Sequence, residues 1–123
     1  MNYKKTLILS LFILCVSIGF ASFVLADDVL KAAPGCCKVL LENENVRVID
    51  YSAKAGEKAG MHSHPAHVAY ALVDGKTKFT NADGSTREAE LKAGQAIYSP
   101  AVTHATENIG SSDLHVIIVE IKK

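Results

Sequence analysis

The chain has 123 residues, and its 13 basic and 13 acidic side chains leave no formal net charge when histidine is neutral. No basic patch accompanies this balance, so the composition argues against a nucleic-acid partner. Tryptophan is absent and aromatic residues are few, which argues against a large aromatic ligand held by stacking.

The first residues have the layout of a secretory signal peptide. Lys4 and Lys5 precede an apolar run over residues 7–25, and Ala26 then stands before an acidic pair. We expect cleavage after Ala26, with an earlier cut after Ala21 as an alternative. The protein is then periplasmic or secreted, with no membrane contact once the signal is removed. Because the apolar run is nearly long enough to span a bilayer, an uncleaved anchor is the competing interpretation.

A short arm is expected to connect the signal peptide, residues 1–26, to the folded domain. This N-terminal arm, residues 27–37, contains a Pro-Gly pair and is expected to be mobile. Cys36 and Cys37 lie side by side at its end. In an oxidising compartment they can form a vicinal disulfide or a disulfide with a second subunit, or they can stay free thiols.

Short β-prone runs separated by turn residues fill the rest of the chain, residues 38–123. Asp74-Gly75 is a strong hairpin signal, and no stretch has a convincing helical period. Regular short strands with frequent turns predict a single all-β sandwich or barrel. The expected strands lie at 38–42, 46–52, 61–64, 67–73, 76–80, 86–91, 96–99, 104–108 and 114–121.

Three histidines are placed where they could share one metal ion. His62 and His64 are two residues apart, so on a strand both imidazoles point to one face, with Cα atoms roughly 6.6 Å apart. His104 comes from a distant strand. Neutral imidazole is the commonest ligand of first-row divalent metals. The pattern predicts a site for Fe, Mn, Zn, Ni or Cu, without selecting among them.

The spacing around the first two histidines resembles the first sequence signature of the cupin superfamily. That signature runs Gly, five residues, His-x-His, three or four residues, Glu, six residues, Gly. In this chain Gly56, His62, His64 and Gly75 are in register, whereas Val68 takes the position of the glutamate. The resemblance therefore implies a site without the family's carboxylate ligand.

The second cupin signature runs Gly, five residues, Pro-x-Gly, two residues, His, three residues, Asn. Gly94, Pro100, His104 and Asn108 match it, although the segment between Pro100 and His104 is one residue short and lacks the glycine. Together the two motifs imply a small all-β jelly-roll (cupin) barrel over residues 38–123, preceded by a cleavable signal segment.

The resemblance also implies that the three histidines line one interior cavity and leave coordination positions open for water or substrate. His67 is a candidate fourth ligand if a bulge after Pro65 redirects it. Simple alternation turns His67 away from the face of Val68.

Two tyrosines are candidate catalytic groups. Tyr70 follows Val68 by two residues and is expected to share its inward face, and Tyr98 lies just before Pro100. Either phenol could hydrogen-bond a substrate, or it could fill the core with its hydroxyl at the rim. Asn108 is expected to have a structural role.

The resemblance implies a cupin that binds a divalent metal and acts on a small molecule as a dioxygenase-like oxidoreductase, and the signal peptide implies its export. A three-imidazole site is like those of diketone- and thiol-oxidising cupins, whereas the missing glutamate argues against quercetinase-like chemistry. A non-catalytic module that holds a small ligand or the metal itself is the alternative, favoured by the short chain. Because cupins often pair through barrel edges, the resemblance further implies a homodimer.

Overall fold

The computed structural model describes residues 26–123, so the predicted signal peptide lies outside the described residues except for its last position. This part is built from strands with one short helix, which confirms the all-β prediction. None of its helices has the length and apolar character needed to cross a membrane. The elements in chain order are β1 (Asp27–Asp28), α1 (Val29–Ala32), β2 (Cys37–Glu42), β3 (Val46–Ala53), β4 (Lys58–His64), β5 (His67–Ala71), β6 (Gly75–Asn81), β7 (Thr86–Leu91), β8 (Ala96–Ser99), β9 (Val102–Asn108) and β10 (Leu114–Ile121).

The strands form two five-stranded sheets, with the orders β1-β4-β9-β6-β7 and β2-β3-β10-β5-β8. All pairings are antiparallel except that of β1 with β4. Residues from both sheets line one internal cavity. Gly56 lies in the turn before β4 and Gly94 in the turn before β8, with φ values of 80° and 85°, which a residue with a Cβ rarely adopts.

Alternation along β10 shows which faces point inward. Leu114, Val116 and Ile118 are buried, and Ile118 lies directly opposite Ile49 of β3 and Ala69 of β5. Because directly opposed residues of paired strands share a face, this register fixes the inward residues of three neighbouring strands.

The N-terminal arm packs against the barrel instead of hanging free. β1 pairs with β4 at His62 and Ser63, and the Asp28 carboxylate caps α1 by accepting a 2.9 Å hydrogen bond from the Leu30 amide. Val29 is only 1% exposed. Burial of this side chain, together with the strand pairing, anchors the segment that the Pro-Gly pair suggested was a mobile tether.

Cys36 and Cys37 are free thiols in the structure, without a vicinal disulfide between them, and a disulfide with a second subunit stays an alternative. Cys36 is buried in the core and Cys37 is half-buried at the start of β2. Burial raises the pKa of both thiols, that of Cys37 to about 11. Neither sulfur is therefore an active nucleophile near neutral pH.

The structural role expected of Asn108 is confirmed. Its side-chain amide donates hydrogen bonds to the carbonyls of Ala53 and Ser112, at 2.9 and 2.8 Å, and its oxygen accepts one from Gly110 at 3.0 Å. These bonds join the end of β3 to the turn that leads into β10.

Candidate metal centre

Strand register brings the three predicted histidines together. His62 on β4 lies directly opposite His104 on β9, so both side chains project from the same face, and His64 follows on that face. The ring centroids are 4.9 Å apart for His62 and His64, 4.9 Å for His62 and His104, and 5.6 Å for His64 and His104. All three side chains are buried.

The ring nitrogens form a donor set suited to one divalent ion. One nitrogen from each ring lies within 4.8 Å of the corresponding atoms of the other two. The His62 Nδ1 donates to the Gly60 carbonyl at 2.6 Å, and the His64 Nδ1 donates to the Glu120 carboxylate at 2.7 Å. Since both partners can only accept, Nε2 of each ring carries the lone pair that a metal requires. The donors therefore fit a transition metal with nitrogen ligands.

Burial favours the neutral form of two of these imidazoles, His62 and His104. Burial, followed by the neighbouring rings of His62 and His64, lowers the pKa of His104 to about 3. Burial also lowers the pKa of His62 below its ordinary value, and the hydrogen bond to Gly60 opposes that shift only in part. Because metal competes with protons for the same lone pairs, the depressed pKa values keep the nitrogens of His62 and His104 available.

A chain of charged side chains lies behind His64. The Glu120 side chain is 2% exposed and accepts hydrogen bonds from His64 Nδ1 and from Arg47 Nε, each at 2.7 Å. Arg47 Nη2 continues to the Asp28 carboxylate at 2.6 Å. Burial alone would raise the pKa of Glu120, but the bonds from His64 and Arg47 outweigh it and hold that pKa below its ordinary value. A carboxylate in this position fixes the tautomer and the orientation of a ligating imidazole.

His67, and not Val68, faces the cavity, so the expected orientation of β5 is wrong. His67, Ala69 and Ala71 line the cavity, whereas Val68 does not. The cause is register: His67 lies opposite Glu120 of β10, whose inward face is fixed by the apolar alternation of that strand. The His67 ring centre is 4.8 Å from that of His64, yet His67 is not one of the three converging donors. Its role as a fourth ligand stays a prediction.

The reversed orientation of β5 also turns Tyr70 outward, so its expected inward position is wrong. Tyr70 is 42% exposed and Tyr98, on the neighbouring β8, is 65% exposed. Neither tyrosine lines the cavity. The catalytic role predicted for them stays a prediction, and this placement gives it no support.

The cavity between the sheets has a volume of about 240 Å³. His62, His64, His67 and His104 line it together with a mainly aliphatic wall. Arg87 also borders it, and none of the described lining residues carries a carboxylate. The cavity therefore has room beside the histidines for a small molecule.

Comparison with known families places this fold. The sequence profile described as Cupin domain matches residues 51–120, which is more than half of the chain. The chain belongs to the cupin family. The resemblance seen in the two histidine motifs is thereby confirmed.

Solved structures agree with this assignment. A cupin domain from Bordetella pertussis Tohama I is 24% identical, with a TM-score of 0.66 over 71% of this chain and 92% of that chain. An RmlC-like cupin family protein with a double-stranded β-helix fold from Methanocaldococcus jannaschii is 22% identical, with a TM-score of 0.55 over 69% of this chain and 77% of that chain. At these identities the likeness shows the fold alone. No curated protein matches the chain.

Glu120 and Arg47 are the site residues of this cupin that sequence reasoning missed. The signal for Glu120 was present, because it continues the inward series Leu114, Val116 and Ile118 at a spacing of two. An acid in register with buried aliphatic residues requires a buried partner. The identity of that partner depends on strand order, which the periodicity does not contain.

Proposed function

We propose that this cupin binds one divalent first-row transition metal through His62, His64 and His104. The observation that carries the proposal is the convergence of three buried ring nitrogens within 4.8 Å of one another. Hydrogen bonds hold the tautomers of His62 and His64, so little side-chain entropy remains to be lost when a metal binds.

We further propose that the metal supports a reaction on a small molecule, of the dioxygenase-like oxidoreductase type. Three neutral protein ligands leave a divalent ion its full charge and open positions, where it supplies Lewis-acid chemistry or, as iron, redox chemistry. His67 donates its Nδ1 proton to the Pro65 carbonyl at 2.8 Å, so its Nε2 is the atom able to accept a proton from a bound molecule.

A non-catalytic module that holds a small ligand or the metal is the second candidate. The observation that favours it is the scarcity of proton-transfer groups in the described cavity wall, which has no carboxylate and neither predicted tyrosine. Turnover separates the two candidates. The iron-loaded protein is given a small diketone and a small thiol under air, and oxygen uptake is recorded; uptake by either supports the enzyme, and stoichiometric metal without uptake supports the module.

The metal site is tested by elemental analysis of the purified protein. We expect about one divalent ion per chain, and loss of that ion in His104→Ala. His115→Ala is the matched control, because His115 bonds Asp50 at 2.7 Å and does not line the cavity. Equal metal content in His104→Ala and the unaltered protein would overturn the assignment.

We also propose that the protein is exported and acts in the periplasm or outside the cell. The support is the sequence pattern of residues 1–26. Cell fractionation followed by N-terminal sequencing tests it, and we expect the exported chain to begin at Asp27. The homodimer implied by the resemblance stays a prediction, which light scattering can test.

A further inference from the structure

The wall of the cavity is positively charged once the proposed metal is bound. Its titratable lining residues are the four histidines, Tyr51 and Arg87, with no acidic residue among those described. Asp28 and Glu120 lie behind His64, where Arg47 bridges them and cancels one of their two charges. The divalent ion and the Arg87 guanidinium together outweigh the remaining negative charge. A concave site with this balance attracts an anion.

Arg87 is the side chain placed to bind that anion. It borders the cavity yet is exposed, so it lies at the mouth, and it makes no ion pair within residues 26–123. Its guanidinium carbon lies 4.2 Å from the centre of the Phe79 ring. Stacking on a ring holds the guanidinium plane while its N–H edges stay free for a bidentate contact.

Phe79 links this cation to the donor set. It lies directly opposite Arg87 in the pairing of β6 with β7, and its ring centre is 5.2 Å from that of His104. The guanidinium is therefore separated from a metal ligand by one aromatic ring. A short anionic molecule can reach Arg87 while its other end lies beside the metal position.

The remaining wall limits the size and polarity of the ligand. The volume of about 240 Å³ is below the roughly 300–1,000 Å³ of ordinary small-molecule pockets. Ala69, Ala71, Val116 and Ile118 form part of an aliphatic surface beyond the histidines. Such a surface favours a short hydrocarbon body over a second polar group.

We propose that this cavity takes a small carboxylate with a short aliphatic body, whose charged group is held by Arg87. The proposal names the ligand class of the proposed function and rests on it for the metal's share of the charge. The contribution of Arg87 stands separately, because the guanidinium keeps its charge in the absence of metal.

The test compares butyrate with butyramide, a neutral ligand of nearly the same shape, by calorimetric titration of the metal-loaded protein. Butyrate is expected to bind roughly tenfold more tightly, ~1.4 kcal/mol. In Arg87→Gln this preference is expected to fall severalfold, with butyramide affinity unchanged. Acetate is expected to bind roughly tenfold more weakly than butyrate, because it lacks two buried methylene groups.

Lys78→Gln is the matched control, since it removes one positive charge from the same hairpin. Lys78 pairs with Glu107 and does not line the cavity, so the preference for butyrate should persist. Equal affinity for butyrate and butyramide, or a preference that Arg87→Gln leaves unchanged, would overturn the proposal.

Repeating the titration on metal-free protein separates this proposal from the proposed function. A protein that binds metal but shows no anion preference keeps the metal assignment and loses the ligand class. A protein that binds no metal, yet shows a preference for butyrate that depends on Arg87, loses the metal assignment and keeps the arginine contact.

Discussion

Replacing Glu120 by glutamine is the most informative single change to this cupin. Glutamine keeps the shape of the side chain but removes its charge and replaces one acceptor oxygen by an NH2 group. Glu120 accepts from His64 on one oxygen and from Arg47 on the other, each at 2.7 Å. An amide can accept only on its oxygen, so either one of these two donors faces the NH2 group, or His64 changes to the tautomer whose Nδ1 accepts and whose Nε2 carries the proton.

The cost follows from the burial of the pair. Breaking a buried ion pair by removing one partner destabilises a protein by about 3–5 kcal/mol. Arg47 keeps its second bond, 2.6 Å to Asp28, so we expect the lower end, about 3 kcal/mol of lost unfolding free energy in the metal-free protein. With the orientation of His64 no longer fixed by a carboxylate, metal affinity should fall roughly 10–100-fold.

Two measurements separate positioning from stability. Urea unfolding of the metal-free protein measures the stability. Competition with a chelator, without urea and at a temperature where the protein is fully folded, measures the metal affinity and hence the positioning of His64. Cobalt-loaded protein should also show a shifted visible absorption band, because the ligand geometry changes. Glu107→Gln is the control, since Glu107 pairs with lysines at the surface and should cost under about 1 kcal/mol. Unchanged metal affinity and an unchanged cobalt spectrum in folded Glu120→Gln would refute the positioning role.

Asp28→Asn should weaken metal binding severalfold, because the substitution removes the negative charge from the 2.6 Å contact with Arg47. Asp27→Asn is the control, since Asp27 forms no ion pair with Arg47, and chelator competition compares the metal affinities of the two variants. The pKa of His104 is depressed to about 3, so the unfolded state binds more protons, and stability is expected to fall as the pH decreases from about 7 towards 3. Urea midpoints of metal-free protein should show this slope, and His104→Ala should flatten it; equal slopes would contradict the assignment. Cys36 and Cys37, with raised pKa values, should react with a thiol reagent at pH 7 only slowly until urea unfolds the chain, and rapid labelling of the folded protein would contradict their burial.

The family, the strands from β2 onward and the convergence of the three histidines could be predicted from the sequence. The reason is that His62 and His64 are two residues apart, which places both on one face of a strand, and that His104 has the position of the histidine in the second cupin signature. Local pattern was sufficient to place each histidine on its strand, and the resemblance to the cupin signatures implied the convergence that the pairing of β4 with β9 produces.

The orientation of β5 could not be predicted in the same way. Counting back from Gly75 placed Val68 at the glutamate position, although the register against β10 turns His67 inward. A shift of one residue in a strand exchanges its two faces. Pro65 and Ala66 form the short link before β5. Only the pairing of β5 with β10 decides which of its residues point into the cavity.

The contacts among Asp28, Arg47 and Glu120 could not be predicted from the sequence for a different reason. These three residues come from three strands that lie far apart in the sequence. The alternation along β10 marks Glu120 as inward-facing, but nothing in the local sequence identifies Asp28 and Arg47 as its partners. Their meeting depends on sheet order. The N-terminal segment was also misjudged, because the anchoring of Val29 is a tertiary contact that its neighbours do not signal.

The parallel pairing of β1 beside β4 has a practical consequence for anyone who produces this protein. A shortened version beginning after residue 33 would keep every imidazole and nearly the whole barrel, yet it would lack both the carboxylate that holds Arg47 and the side chain of Val29. The metal affinity measured on such a truncated protein would be lower than that of the chain that retains residues 27–33. Affinity tags and protease sites are therefore best attached at the other terminus.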